Sequence, residues 1–125
     1  MYADNKKMND CAEICLECFT SCTKTIPQCL EAGGNHAEAK HITLLQVCAD
    51  MCKLSASAML LGASQHTYIC EACEKICTEC AEECESMDGA FMKACAEICR
   101  RCAASCKSMV SSYVPKKSEQ LSAHS

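Results

Sequence analysis

The sequence predicts an all-α fold: an antiparallel up-down-up-down four-helix bundle with a cysteine-lined core. Three observations predict it. Strong turn signals divide the 125 residues into four segments. Each segment is about 23–28 residues long, enough for a helix of roughly 35–40 Å at 1.5 Å per residue, and is rich in the helix formers Ala, Glu, Lys, Leu and Met. Cysteine recurs in every segment at spacings that alternate four and three, the pattern that turns one stripe of a helix towards a bundle axis. Short links between long helices favour antiparallel neighbours.

Taken in order, the first segment carries Cys11, Cys15, Cys18, Cys22 and, a heptad later, Cys29; Gly33-Gly34 ends it. Pro27 is expected to kink or break this helix near Ile26, because proline has no N–H and clashes with the preceding turn. Asn35, with Glu38 three residues on, reads as the N-cap and capping-box partner of the second helix. That helix continues the stripe more weakly, with Cys48, Cys52, then Ser55 and Met59 in the same register. Gly62 ends it and Ser64 is placed to cap the third helix, which carries Cys70, Cys73, Cys77, Cys80 and Cys84. Met87-Asp88-Gly89 forms the third break, with Asp88 as an N-cap. The fourth helix carries Cys95, Cys99, Cys102 and Cys106, and Pro115 stops it. A single bundle domain is therefore expected over residues 1–114. Residues 115–125, ending in KKSEQLSAHS, read as a disordered polar tail.

A second repeat supports the register. The residue before the second cysteine of each motif is Ile14, Met51, Ile76 or Ile98, placed beside the stripe to seal neighbouring helices, with Met51 as an isoleucine equivalent. Glu97 with Arg101, and Glu71 with Lys75, are favourable i,i+4 pairs on the wet face. Glu79, Glu82, Glu83 and Glu85 read as a solvated helix face.

Composition narrows the function. The net charge of -4 argues against nucleic-acid binding. No run of about 18 apolar residues exists, so no membrane span is expected. The N-terminal MYADNKKMNDCAEIC has no secretory-signal pattern. A reducing cytoplasm is the expected compartment, where structural disulfides are rare. Yet 16 residues are cysteine and only five are aromatic, which is above the roughly 8–10% cysteine that points to a disulfide scaffold or a metal site.

Three readings of the stripe compete. Cysteine can be mere packing, a small buried hydrophobe, but leucine there would bury far more apolar area at about 25 cal/mol per Å². Disulfides want Cβ atoms about 3.5–4.5 Å apart, whereas helical i,i+3 and i,i+4 neighbours lie about 5–6 Å apart; cross-helix pairs remain open. The third reading is metal, with Cu(I), Zn(II) and iron–sulfur clusters as the soft candidates. Charge separates them. Sixteen buried thiolates need counter-charge, and one Cu(I) per thiolate cancels it if each ion takes two sulfurs and each sulfur bridges two ions. Zinc in separate four-cysteine sites would use about four ions and leave about half the charge standing. Zinc and iron–sulfur sites also draw ligands mostly from loops and turns.

The bundle ends add candidates. Met8, Met59, Met87, Met92 and Met109 extend the stripe by one step, and His41 and His66 lie a heptad before Cys48 and Cys73. Antiparallel topology gathers Met8, Met59, His66 and Met109 at one end, and His41, Met87 and Met92 at the other, near Phe91 and Cys29. Thioether and imidazole groups at such mouths can pass Cu(I) inward. Packing is the favoured rival for each methionine; for His41 and His66 the two readings stand level. His36 and His124 are expected to be solvent-exposed.

The triple motif, as CAEICLECFTSC, CEKICTECAEEC and CAEICRRCAASC, resembles the bacterial copper storage proteins over about residues 8–110. The resemblance implies a four-helix bundle storing multiple Cu(I) ions on core thiolates, and a homotetramer of bundles; the lack of a leader pattern resembles the cytosolic branch. The sparse second helix departs from the pattern at Ser55 and Met59. The expected function is cytosolic storage and detoxification of Cu(I), with a copper chaperone or exporter as partner. The main alternative is a zinc or mixed-metal buffer like a helical metallothionein. No enzyme is expected, because a uniform stripe lacks the few singular residues of a catalytic cleft.

Overall fold

In the computed structural model, residues 2–112 are described, with side chains for 5–111. Four helices follow one another: α1 (Tyr2–Ala32), α2 (Ala39–Leu60), α3 (His66–Glu85) and α4 (Ala90–Ser112), with one 3-10 turn at Gly34–Ala37. Among the described residues the backbones of α1 and α3 each pack on those of α2 and α4, while the diagonal pairs meet only through side chains on the axis, as where Cys52 Sγ of α2 lies 3.8 Å from Cys102 Sγ of α4. The square is antiparallel along its edges: Cys15 meets Cys106 while Cys22 meets Cys95, and Cys52 meets Cys73 while Cys48 meets Cys77. The predicted bundle is therefore the observed one. The expected stop at Pro115 and the tail over 115–125 lie outside the described residues.

The core is narrow because its walls are small. Ala12, Ala49, Ala56, Ala81, Ala96 and Ala103 are buried beside the cysteines. Small side chains at a helix contact let the axes approach, since interaxial distance follows side-chain size. Ile14, Met51, Ile76 and Ile98 pack half-buried against this core, as their register predicts.

Several local expectations are corrected. Helix α1 is not broken at Pro27. Pro27 and Thr23 both lie on the exposed face, so the Thr23 carbonyl that loses its donor meets water instead. Asn35 does not cap α2; it sits in the 3-10 turn, where its carbonyl accepts from the Glu38 N–H. Glu38 takes the N-cap position without a side-chain bond. Gln65, not Ser64, precedes α3, again without one. Asp88 does not cap α4 either: Gly89 supplies the first carbonyl, accepting from Met92 and Lys93. What the turns do use is glycine. At the end of α2 the N–H of Ala63 reaches the Ala58 carbonyl and that of Gly62 reaches Met59. This Schellman pattern needs the positive φ of 65° that Gly62 adopts.

The outer charges lash helices together. Arg100 holds Glu85 of α3 through two bonds of 2.7 and 3.0 Å, and Arg101 bonds Glu17 of α1. Arg101 thus serves a cross-helix pair rather than the expected one with Glu97. Glu71 and Lys75 do meet, at 3.5 Å. All these pairs are exposed, so water and salt screen them and they contribute little to stability.

Candidate metal centre

All sixteen cysteines are free and buried. The 4-3-4 spacing puts each helix's sulfurs on one face, and the square arrangement points the four faces inward. Sulfurs from different helices then approach to 3.5–3.9 Å: Cys52 to Cys77 at 3.5 Å, Cys15 to Cys102 and Cys106 at 3.6 Å, Cys18 to Cys99 at 3.8 Å. These are van der Waals or weak hydrogen-bond separations, far above the roughly 2.05 Å of a disulfide.

Four groups of four cysteines have all their sulfurs within 4.8 Å of one another. They are Cys15-Cys73-Cys102-Cys106, Cys52-Cys73-Cys77-Cys102, Cys18-Cys48-Cys52-Cys77 and Cys18-Cys22-Cys48-Cys99. In that order each group shares two sulfurs with the next. They are links of one continuous column rather than separate sites. Cys80, Cys84 and Cys95 carry the column on past Cys22, with Cys95 at 3.9 Å from it. Cys11 and Cys70 extend it at the opposite end, next to Cys106.

Protons in this column are shared. Hydrogen bonds from Cys102, Cys106 and Cys11 hold the Cys15 thiol at about 5, against an ordinary 9.0. Cys102 and Cys22 likewise hold Cys18 down, and the bond to Cys18, together with burial, drives Cys22 up. A thiolate on one sulfur is stabilised by S–H groups on its neighbours, so adjacent sulfurs cannot all ionise without an added cation.

The ends differ chemically. At one end Ser55 is fully buried, its Oγ 3.5 Å from Cys70 Sγ and 3.9 Å from Cys106 Sγ, and Met59 Sδ is 3.8 Å from Cys70 Sγ. Met8, His66 and Met109 are buried at the same end, with His66 Nδ1 bonded to the Ala63 carbonyl at 2.8 Å. At the other end His41 Nε2 is 3.4 Å from Cys29 Sγ, with Met92 buried and Met87 half-buried. Burial, then the neighbouring Cys95 and Cys80, pushes the Cys29 thiol up to about 11.

Three features escaped the reading of the chain. Thr25 and Leu45 occupy stripe positions between Cys22 and Cys29 and between His41 and Cys48, and both are buried. Their register was visible, but neither side chain carries metal chemistry that would single it out. They put non-ligating side chains in the stripe next to the Cys29–His41 pair, whose sulfur neighbours in the column are Cys95 and Cys80. Glu83 is not simply a solvated carboxylate; its Oε1 lies 3.6 Å from His41 Nδ1. His36 is not free in solvent: its Nε2–H donates to the Asp88 carbonyl at 2.7 Å and its ring packs on Phe91 at 5.4 Å. His124 lies outside the described residues. A surface groove of about 560 Å³ along the α1–α4 seam reaches Cys95, which is itself only 1% exposed, so the groove ends at the sulfur wall.

Comparison with known proteins matches this arrangement. A Cu(I)-bound copper storage protein, BsCsp3, is 35% identical, covers 83% of this chain and 98% of its own, and superposes with a TM-score of 0.79. A cytosolic copper storage protein from Streptomyces lividans, holding five coppers, is 25% identical with a TM-score of 0.80, over 91% of this chain and 100% of its own. The cysteine-rich protein YhjQ of Bacillus subtilis (strain 168) is 36% identical over 78 residues, 62% of this chain and 72% of that protein. The family description "Copper storage protein" matches residues 4–111, and the chain belongs to that family.

Proposed function

We propose that this protein stores Cu(I), many ions per chain, on the thiolates of Cys11, Cys15, Cys18, Cys22, Cys29, Cys48, Cys52, Cys70, Cys73, Cys77, Cys80, Cys84, Cys95, Cys99, Cys102 and Cys106. The observation that carries this is the sharing of sulfur pairs between successive four-cysteine groups. A private tetrahedral site of four cysteines cannot lend two ligands to its neighbour, so at most two of the four groups could be filled that way. An ion satisfied by two sulfurs, with each sulfur bridging two ions, uses the whole column. Each arriving Cu(I) displaces S–H protons, so affinity falls in acid. His41, His66, Met59, Met87, Met92 and Met109 are proposed as ligands at the two mouths.

The finer points belong to the same reading. The store acts in the cytoplasm, lowers free copper there, and exchanges with a copper chaperone or exporter. It performs no catalysis. Among the described residues no helix is long and apolar enough to cross a membrane. The bundle assembles as a homotetramer, with Val47 and Leu54 of α2 and Leu61 at its C-cap, a heptad apart and 43–82% exposed, as the sticky face. Light scattering should give about four times the chain mass, and Leu54→Glu with Leu61→Glu should lower it; a monomer in both cases removes the tetramer.

The deciding experiment is an anaerobic Cu(I) titration of the reduced protein against a competing chelator. Saturation near one Cu(I) per cysteine supports a store that uses the whole core. Saturation near four metals, with Zn(II) competing well, replaces it with a zinc buffer.

A further inference from the structure

The His41 side chain is 1% exposed, and its two ring nitrogens face different partners. Nε2 is 3.4 Å from Cys29 Sγ. Nδ1 is fully buried, has no hydrogen-bond partner among the described residues, and lies 3.6 Å from Oε1 of Glu83, whose side chain is 26% exposed. A neutral imidazole carries its proton on one nitrogen and a lone pair on the other. The surroundings choose between them. A carboxylate oxygen can only accept, so it favours the proton at Nδ1. A thiol can donate, so it favours the lone pair at Nε2. Buried polar atoms in native proteins are almost always paired, and a shift of a few tenths of an ångström by the rim carboxylate would pair this one.

We propose that Glu83 is a positioning residue for copper capture: it accepts Nδ1–H of His41, fixes that tautomer, and leaves the Nε2 lone pair beside Cys29 as a ready nitrogen–sulfur pair for Cu(I). The proposal rests on the storage reading. It also follows the general rule that a metal-binding histidine donates its other N–H to a carboxylate or carbonyl. The pair lies at the end of the column, where Cys29 neighbours Cys95 and Cys80, so it is a landing site ahead of the store. On capture, Cu(I) bonds to Cys29 sulfur and His41 Nε2, the S–H bond breaks, and its proton leaves to solvent at the bundle end. Copper stays Cu(I) throughout, and the thiolate balances its charge.

The test is long-range ¹H–¹⁵N NMR of the full chain, with the His41 signals assigned by their loss in His41→Gln. In the reduced apo protein His41 should be protonated at Nδ1. Glu83→Ala should mix the tautomers, while Glu83→Gln, which keeps an acceptor oxygen, should retain Nδ1–H; circular dichroism verifies that both fold. Cu(I) addition should move the Nε2 resonance, at about tenfold weaker affinity in Glu83→Ala. A wild-type ring protonated at Nε2, or a Glu83→Ala variant with unchanged tautomer and affinity, overturns the proposal. Wild-type protein that loads many Cu(I) ions without moving Nε2 overturns it and leaves the storage reading standing. Wild-type protein that loads none overturns both.

Discussion

Ser55 is the residue at which the sulfur column is chemically interrupted. It lies in the stripe of α2, fully buried, with its hydroxyl against Cys70 and Cys106. Oxygen in place of sulfur removes one soft ligand without changing shape much. Ser55→Cys should therefore raise the Cu(I) capacity by about one ion, read by chelator titration, and should leave the apo fold intact in thermal melts, because a thiol can take over the contacts to Cys70 and Cys106. Cys29 makes a prediction about pH. Its thiol is raised from 9.0 to about 11, chiefly by burial, so the folded state favours the neutral form. That contribution is complete below about pH 9 and is lost as pH rises through about 11. The apo melting temperature should fall across this window, and less steeply in Cys29→Ser.

Each helix is a local solution to one problem: to keep a poorly hydrophobic stripe inside. The seam residues and buried alanines do this, and the glycine ends let the chain turn without side-chain caps. Pro27 is the exception inside α1. Interior proline costs a helix about 3 kcal/mol relative to alanine, and here the backbone already accommodates it on a wet face. Pro27→Ala should stabilise the apo bundle by about 1–3 kcal/mol, seen as a higher melting temperature. Gly89 is the opposite case. Its φ is 114°, and an added Cβ would lie 2.9 Å from the Phe91 ring that packs on His36. Gly89→Ala should cost about 1–3 kcal/mol, read in the same melts.

The whole molecule couples metal to fold. Only the assembled square brings sulfurs of three different helices within 4.8 Å in each group, so Cu(I) binds the folded state in preference to the unfolded one. By mass action a site at 100 times its Kd adds about 2.7 kcal/mol. Loaded protein should melt well above the apo form, with the gap closing as acid returns protons to the thiolates. An unchanged melting temperature would count against storage in the core. The helices themselves form without metal, because the seams and turns do not depend on it.

The sequence by itself determined the four helices, the inward stripe and the soft-metal chemistry, because a period near 3.6 residues is a local property that each segment carries alone. It also located the two mouths, since antiparallel order follows from short links. Capping was misread at Asn35, Ser64 and Asp88, because cap-forming residues are common in turns and the backbone there settled on glycine and carbonyl contacts instead. The partners across helices were decided only by the tertiary structure: which cysteines share a group, that Arg101 reaches Glu17, that Glu83 faces His41, and that Cys29 meets His41. Those depend on the axial offset and rotation of one helix against another, which packing of the whole bundle sets and no single segment encodes.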